Sequence, residues 1–340
     1  MADESEAGRL GDALAGIEEA LLARPTLTRV QVAERAGVPI QEATELWQLL
    51  GFAHLPDDEV AFSERDVEAL TLARDLQRSG ILDPDSQAAL VRTWGRSFAR
   101  LAEWQTNLLA RLATGSEDPA DQLEGLVEAV LPPVERLQSY VWRRHLVSAA
   151  SRLVAVGEPG ASAVPRAVCF VDIVGYTSRS KSMSESELVE WVEQFEQETT
   201  AVVVDHGGLV IKTIGDEILF TADDPVAAVE VALDLTARGD DDGDPFPAVR
   251  AGVAYGEVVS RLGDVYGETV NIASRLTSVA RPGAVLVDRG AHDALAGPDD
   301  GGEGPEPWPE VPPYRFRRVR RLSVKGYSRL EAWVMRRAAS

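Results

Sequence analysis

The chain has 340 residues, 45% hydrophobic and 26% charged, with a formal net charge of −21. That length supports two domains with a core each, and that charge excludes bulk attraction to nucleic acid. The single cysteine, Cys169, sits in an apolar run, which excludes a disulfide framework and suits a reducing cytoplasm.

No apolar run reaches the length of a membrane span, and the acidic opening MADESEAGRLGD lacks the basic-then-apolar layout of a signal peptide. A cytoplasmic protein without membrane contact is the expectation. An acidic protein that handles a polyphosphate needs metal ions and a local basic pocket.

Residues 8 to about 150 read as helices. LGDALAGIEEALLAR carries apolar residues at helical spacing and is stopped by Pro25. Thr28 can cap VQVAERA, Gly37 and Pro39 make a turn, and QEATELWQLL resumes the helix, the layout of a helix-turn-helix. SERDVEALTLARDLQRSG is a further helix. The stretch from Asp83 to Thr114 is expected to hold two or more, with Trp94, Phe98 and Trp104 on apolar faces. LEGLVEAVLPPVERLQSYVWRRHLVSAASRLVAV is helical, with an expected interruption at Pro132 and Pro133.

Around Gly157 the composition changes. GEPGASAVP is a linker of small residues, Gly and Pro. RAVCFVDIVG then reads as a strand and SESELVEWVEQFEQETTAVVVDHG as a long helix. GGLVIKT and DEILF form a hairpin around Gly215. DPVAAVEVALDLTAR is a helix, AVRAGVAYGEVVSR a strand or hairpin, TVNIASRLTSVARPG a helix, and GAVLVD a strand. YRFRRVRRLSVKGYSRLEAWVM reads as a closing strand pair. The order β-α-β-β-α-β is the ferredoxin-like unit. The fold class is therefore α+β: a ferredoxin-like domain at 166–340, a linker at 157–165, and an all-α domain at 1–156.

Asp172 leaves the strand AVCFVDI and is followed by the Gly-containing turn VGYTS. A carboxylate there, beside backbone amides, can hold a divalent ion next to phosphates, or it can simply cap the turn. In a ferredoxin-like unit the first strand neighbours the hairpin, which brings Asp172 and Asp216 together. Two converging carboxylates need a cation between them, and hard oxygen ligands suit Mg2+ or Mn2+. Asn271 and Arg275 are spaced i, i+4 at the start of a helix and share one face. The Arg fork suits a phosphate and the Asn amide a sugar oxygen; a solvated polar face is the alternative for each alone.

FVDIVGYTS, IKTIGDEILF and GDVYGETVNIASRL, in this order and spacing, resemble the class III nucleotidyl cyclase catalytic domain over roughly residues 164–340. The resemblance implies that Asp172, Asp216 and Ile173 hold two metal ions per active site. It implies that Lys212 and Asp264 read adenine, and that Asn271 and Arg275 act on the ribose and the transition state. Ile173, Val174, Gly175, Tyr176 and Thr177 would steady the triphosphate through their amides, with Lys325 of LSVKGYS at the terminal phosphates. It also implies a homodimer. Lys has only donors and ionised Asp only acceptors, which matches adenine N1 and N6 and mismatches guanine; ATP is the expected substrate.

The N-terminal half resembles, in VAERAGVPIQEATELWQLLGF and YVWRRHL, the helical regulatory domain found before some actinobacterial cyclases. Its input is not readable: a small molecule, a lipid held by Trp94, Phe98, Trp104 and Leu108, and a pH response through His145 are open, beside plain core and solvent roles. IQEATELWQLL has two Glu and no Arg or Lys, so DNA binding is not expected. A catalytically silent nucleotide sensor whose helix-turn-helix binds a partner or DNA is the alternative function.

Overall fold

The computed structural model describes residues 17–113, 119–156, 163–241, 243–296, 314–319 and 330–338. The chain divides into two compact units, Met1–Gly157 and Glu158–Ser340.

In the first unit, β1 (Leu27–Thr28) runs into α1 (Arg29–Ala36). Thr28 caps α1: its hydroxyl accepts from the Gln31 N–H, and the Gln31 side chain accepts from the Thr28 N–H. Gly37 ends α1 with φ 65, where a side chain is disfavoured. α2 (Ile40–Leu50) completes the helix-turn-helix. The exposed residues of α2 include Gln41, Glu42, Glu45 and Gln48, a surface that repels a phosphate backbone. β2 (Val60–Phe62) pairs antiparallel with β1, so this unit is not purely helical. Strands of two and three residues are too short to display a period of two.

Leu27, Val32, Ala33, Ala36, Ala43 and Leu70 form the core, with Leu70 contributed by α3 (Glu64–Arg78). A single helix, α4 (Pro84–Ala113), stands where two or more were expected, and α5 (Pro119–Val156) continues through Pro132 and Pro133. Proline's fixed φ is itself helical, so the two prolines remove hydrogen bonds without forcing the chain to turn. Trp94, Phe98 and Trp104 are exposed rather than part of the core. α4 instead turns Val91 and Gly95 inward; a Cβ on Gly95 would stand 2.4 Å from the Leu50 carbonyl oxygen. His145 is exposed on α5.

The second unit opens with β3 (Val164–Ile173), which begins inside the stretch read as linker. After it come α6 (Tyr176–Ser180), α7 (Glu185–Asp205), β4 (Leu209–Ile214), β5 (Glu217–Ala222), α8 (Pro225–Gly239), β6 (Val249–Arg261) and β7 (Asp264–Tyr266). α9 (Glu268–Val279), β8 (Val285–Asp288), α10 (Arg289–Ala296), β9 (Tyr314–Arg318) and β10 (Ala332–Arg337) close it. The sheet order is β4-β5-β3-β6-β8-β10-β9, with β7 paired to β6. Among the described strands only β6 and β8 pair in parallel, so the class is α+β with a ferredoxin-like core.

β3 is apolar on both faces because both are covered. Ala167, Cys169, Val171 and Ile173 face the core under α7 and α8; Val168 and Phe170 face α9. α9 sits hard against β6 at Gly252, where a Cβ would meet the Thr277 amide nitrogen at 2.4 Å and the Ala273 oxygen at 2.6 Å. Among the described residues, no helix is long and apolar enough to cross a membrane.

Candidate active site

Alternation along β3 puts Asp172 on the α9 face, beside Phe170 and Val168. The register aligns it with Glu217 on β5 and Arg250 on β6. Arg250 donates from Nε to Asp172 Oδ2 at 2.7 Å, its Nη2 lies 2.6 Å from the same oxygen, and its Nη1 donates to the Ser278 carbonyl at 3.2 Å. Ser278 is in the last turn of α9.

Asp216 occupies the two-residue turn after Gly215, which has φ 65. The Ile173 N–H donates to the Asp216 carbonyl at 3.1 Å, tying the turn to the end of β3. Asp172, Asp216 and Glu217 thus gather with one guanidinium. Burial pushes the Asp216 carboxyl up; the Asp172 charge adds to this, while the Asp216 N–H and Arg250 pull it down. Burial, then the charges of Asp172 and Asp216, push Glu217 up to about 7 against Arg250. Among the described residues no group of three or more His, Cys, Asp or Glu side chains is placed to hold a metal ion, so a hard divalent cation here would need further oxygen ligands beside the carboxylates, such as backbone carbonyls or phosphates.

Ile173 and Val174 cannot offer their amides to a phosphate as expected. The Ile173 N–H is committed to Asp216, and the Val174 N–H donates to the Ala248 carbonyl at 2.8 Å. Backbone pairing continues past Asp172, through Ile173 at the end of the strand and Val174 just beyond it, and consumes both donors. Gly175, with φ 74, then starts α6, leaving the Gly175, Tyr176 and Thr177 amides at a helix N-terminus. Tyr176 stacks on Trp191 of α7 at 5.9 Å, and the Arg179 guanidinium lies 4.5 Å from the same ring centroid, which fixes the short helix in place.

Lys212 lies on β4 at a register shift, and Asp264 opens β7. The Lys212 Nζ donates to Asp264 Oδ2 at 2.6 Å, and Asp264 Oδ1 accepts from the Val265 N–H at 2.9 Å. Burial raises the Asp264 carboxyl, but the hydrogen bonds from Lys212 and Val265 and the Lys212 charge outweigh it, so the group is held below its ordinary range. A donor and an acceptor stand side by side, both half-buried.

Asn271 and Arg275 are exposed on α9. Arg250 of the carboxylate cluster touches the last turn of this helix, and Asp264 precedes its first turn. With 12 residues, α9 spans roughly 18 Å at 1.5 Å per residue. Within one chain the two charged groups therefore sit at opposite ends of the helix that presents Asn271 and Arg275. Lys325 lies outside the described residues.

Arg250 and Glu217 escaped the sequence reading. Arg250 is the one charged side chain in AVRAGVAYG, and a charge within an otherwise apolar strand was the available signal. His206 caps α7, with Nδ1 3.0 Å from the Val202 carbonyl and Nε2 3.4 Å from Asp234.

Residues 161–337 match the family described as the adenylate and guanylate cyclase catalytic domain. An adenylate cyclase of Glutamicibacter nicotianae is 37% identical over 298 residues, covering 82% of this chain and 74% of that one. An adenylate cyclase of Streptomyces coelicolor is 36% identical over 332 residues, covering 91% and 86%. A pH-sensitive adenylate cyclase of Mycobacterium tuberculosis is 33% identical over 310 residues, covering 85% and 75%. These similarities reach well beyond the sheet unit into the helical half. The chain belongs to the adenylate and guanylate cyclase catalytic domain family.

Proposed function

We propose that the protein is an adenylate cyclase that converts ATP to 3′,5′-cyclic AMP and pyrophosphate at sites shared between two copies of the chain. The Lys212–Asp264 pair carries the base assignment: its donor and acceptor lie side by side and match adenine N1 and N6, whereas guanine presents an acceptor and a donor in the opposite order. Relatives named adenylate cyclase support the same substrate.

The ribose 3′-oxygen attacks the α-phosphorus in line, a new P–O bond forms, and the bond to the β-phosphate oxygen breaks, releasing pyrophosphate. Asn271 orients the ribose, and Arg275 neutralises charge growing on the α-phosphate and the leaving oxygen. The amides of Gly175, Tyr176 and Thr177 steady the phosphate tail. Asp172, Asp216 and the Ile173 carbonyl would hold Mg2+ or Mn2+, two per site. When bound, these ions activate the 3′-hydroxyl and offset phosphate charge.

The separation of the two groups along α9 supports a shared site. The carboxylate cluster of one chain and the base pair, Asn271 and Arg275 of another complete a site that one chain holds apart, and a two-fold dimer makes two such sites. Residues 1–156 act as a regulatory domain joined through 157–165 to the catalytic domain at 166–340. The naming of one relative as pH-sensitive keeps proton input among its triggers, beside a small molecule or lipid.

The test is to incubate the protein with ATP or GTP and Mn2+ and measure both cyclic products. Cyclic AMP as the dominant product is expected; dominant cyclic GMP, or neither product, contradicts the reading.

A further inference from the structure

Arg250 makes three contacts that join two parts of the site. Nε and Nη2 converge on Asp172 Oδ2, and Nη1 reaches the Ser278 carbonyl at the end of α9. Asp172 is largely buried, its side chain 14% exposed, and Arg250 is 31% exposed. Asp216 and Glu217 crowd the same region, and among the described residues Arg250 is the cation on Asp172. A guanidinium with both forks on one carboxylate oxygen is a strong charge-assisted contact. It takes lone pairs on Asp172 that a metal ion would use, and it places a positive charge beside any ion that arrives.

From this contact we infer that Arg250 is a resident counter-ion of the metal site, which a divalent cation must displace from Asp172 in order to bind. This inference rests on the reading of Asp172 and Asp216 as metal ligands. Displacement has a second consequence. The same guanidinium holds the last turn of α9, so loading the site releases or re-aims a group fixed to the helix that carries Asn271 and Arg275. Metal occupancy and the setting of α9 are thereby coupled through one side chain. Arg250 is a positioning residue in this role, and it makes the metal-free chain resist weak cation binding.

The test is a nucleotide-free Mn2+ titration of the full-length chain followed by electron paramagnetic resonance of free Mn2+. Arg250→Gln removes the charge, and its shorter amide ends near the place of Nε, so the contact to Ser278 is lost as well; it should bind Mn2+ about tenfold more tightly than wild type, the scale of one charge-assisted hydrogen bond. Arg250→Lys, which keeps the charge and loses the fork, should fall between. On the wild-type chain, the Arg250 Nε–H should exchange slowly with solvent before Mg2+ is added and faster after, which needs no variant to fold.

Asp172→Asn separates the two layers of the argument. Mn2+ binding that survives Asp172→Asn removes the metal reading and the inference with it. Binding lost in Asp172→Asn but unchanged or weakened in Arg250→Gln, or an Arg250 Nε–H indifferent to Mg2+, overturns the inference alone.

Discussion

The two ends of the α9 face solve the problem of half-buried charge differently. At the Lys212–Asp264 end, one cation meets one carboxylate at 2.6 Å and the pair is self-balanced. At the other end, Asp172, Asp216 and Glu217 share one guanidinium, and burial with neighbouring negative charge pushes the Asp216 and Glu217 carboxyls above their ordinary range. A balanced pair can wait for a neutral ligand such as a nucleobase that replaces hydrogen bonds one for one. An unbalanced cluster stores affinity for positive charge. The contrast supports the proposed division, with base reading at one end and cation handling at the other.

The largest expected effect comes from removing a carboxylate at the unbalanced end. Asp172→Ala should lower cyclic AMP formation on the order of a thousandfold, since several kcal/mol of charge stabilisation is lost. It should do so with ATP binding, followed by equilibrium dialysis, much less affected. Equal loss of binding and turnover would mean that Asp172 holds the nucleotide rather than the charge of the reaction.

The balanced end makes a different prediction. Lys212→Glu with Asp264→Cys should depress ATP turnover relative to GTP turnover by on the order of a hundredfold, because buried partners then oppose adenine. An unchanged ATP:GTP ratio would sink the base assignment.

Both ends depend on α9 keeping its distance from β6. Gly252→Val should destabilise the chain by about 3 kcal/mol, since even a Cβ would meet Thr277 and Ala273 inside contact distance. Chemical denaturation that shows no loss of stability would mean that α9 can shift outward freely.

The smallest effect concerns protons at the balanced pair. Asp264 is held below its ordinary range in the fold, so its contribution to stability is present above the unfolded value near pH 4 and is lost as pH falls through the lower folded value. The melting temperatures of wild type and Asp264→Asn should therefore differ at neutral pH and converge only in acid below about pH 4. Convergence already at pH 6 would contradict the pairing.

Much of this was legible in the chain. The strand-helix-strand-strand order is readable because β3 is a short continuous apolar run and α7 carries a helical period, and the hairpin shows itself through Gly215 between two apolar arms. Asp172, Asp216 and Asp264 stand out locally, near a strand end, in a turn and at the opening of a short strand, whereas Lys212 within β4 and Asn271 and Arg275 within α9 are singled out with the help of the family resemblance. What stayed hidden depends on register. Arg250 reaches Asp172 across 78 positions of sequence, and only the alignment of β3 with β6 brings them together. The fate of the Ile173 and Val174 amides was equally invisible, because their acceptors are the distant carbonyls of Asp216 and Ala248. The long uninterrupted α4 and α5 were missed for the opposite reason: turn signals such as Pro132-Pro133 report local cost, and the rest of the helix outweighs it.

The central claim is that the two ends of α9 serve different sites, each completed by a second chain. Asp172→Ala and Arg275→Ala chains should each be nearly inactive alone. Mixed by co-expression, they form one site with both lesions and one with none in every mixed dimer, so cyclic AMP formation should recover to roughly a quarter of wild type under random pairing. No recovery, in samples where mixed dimers are shown by tagged co-purification, would place Asp172 and Arg275 in the same site of one chain and contradict the account.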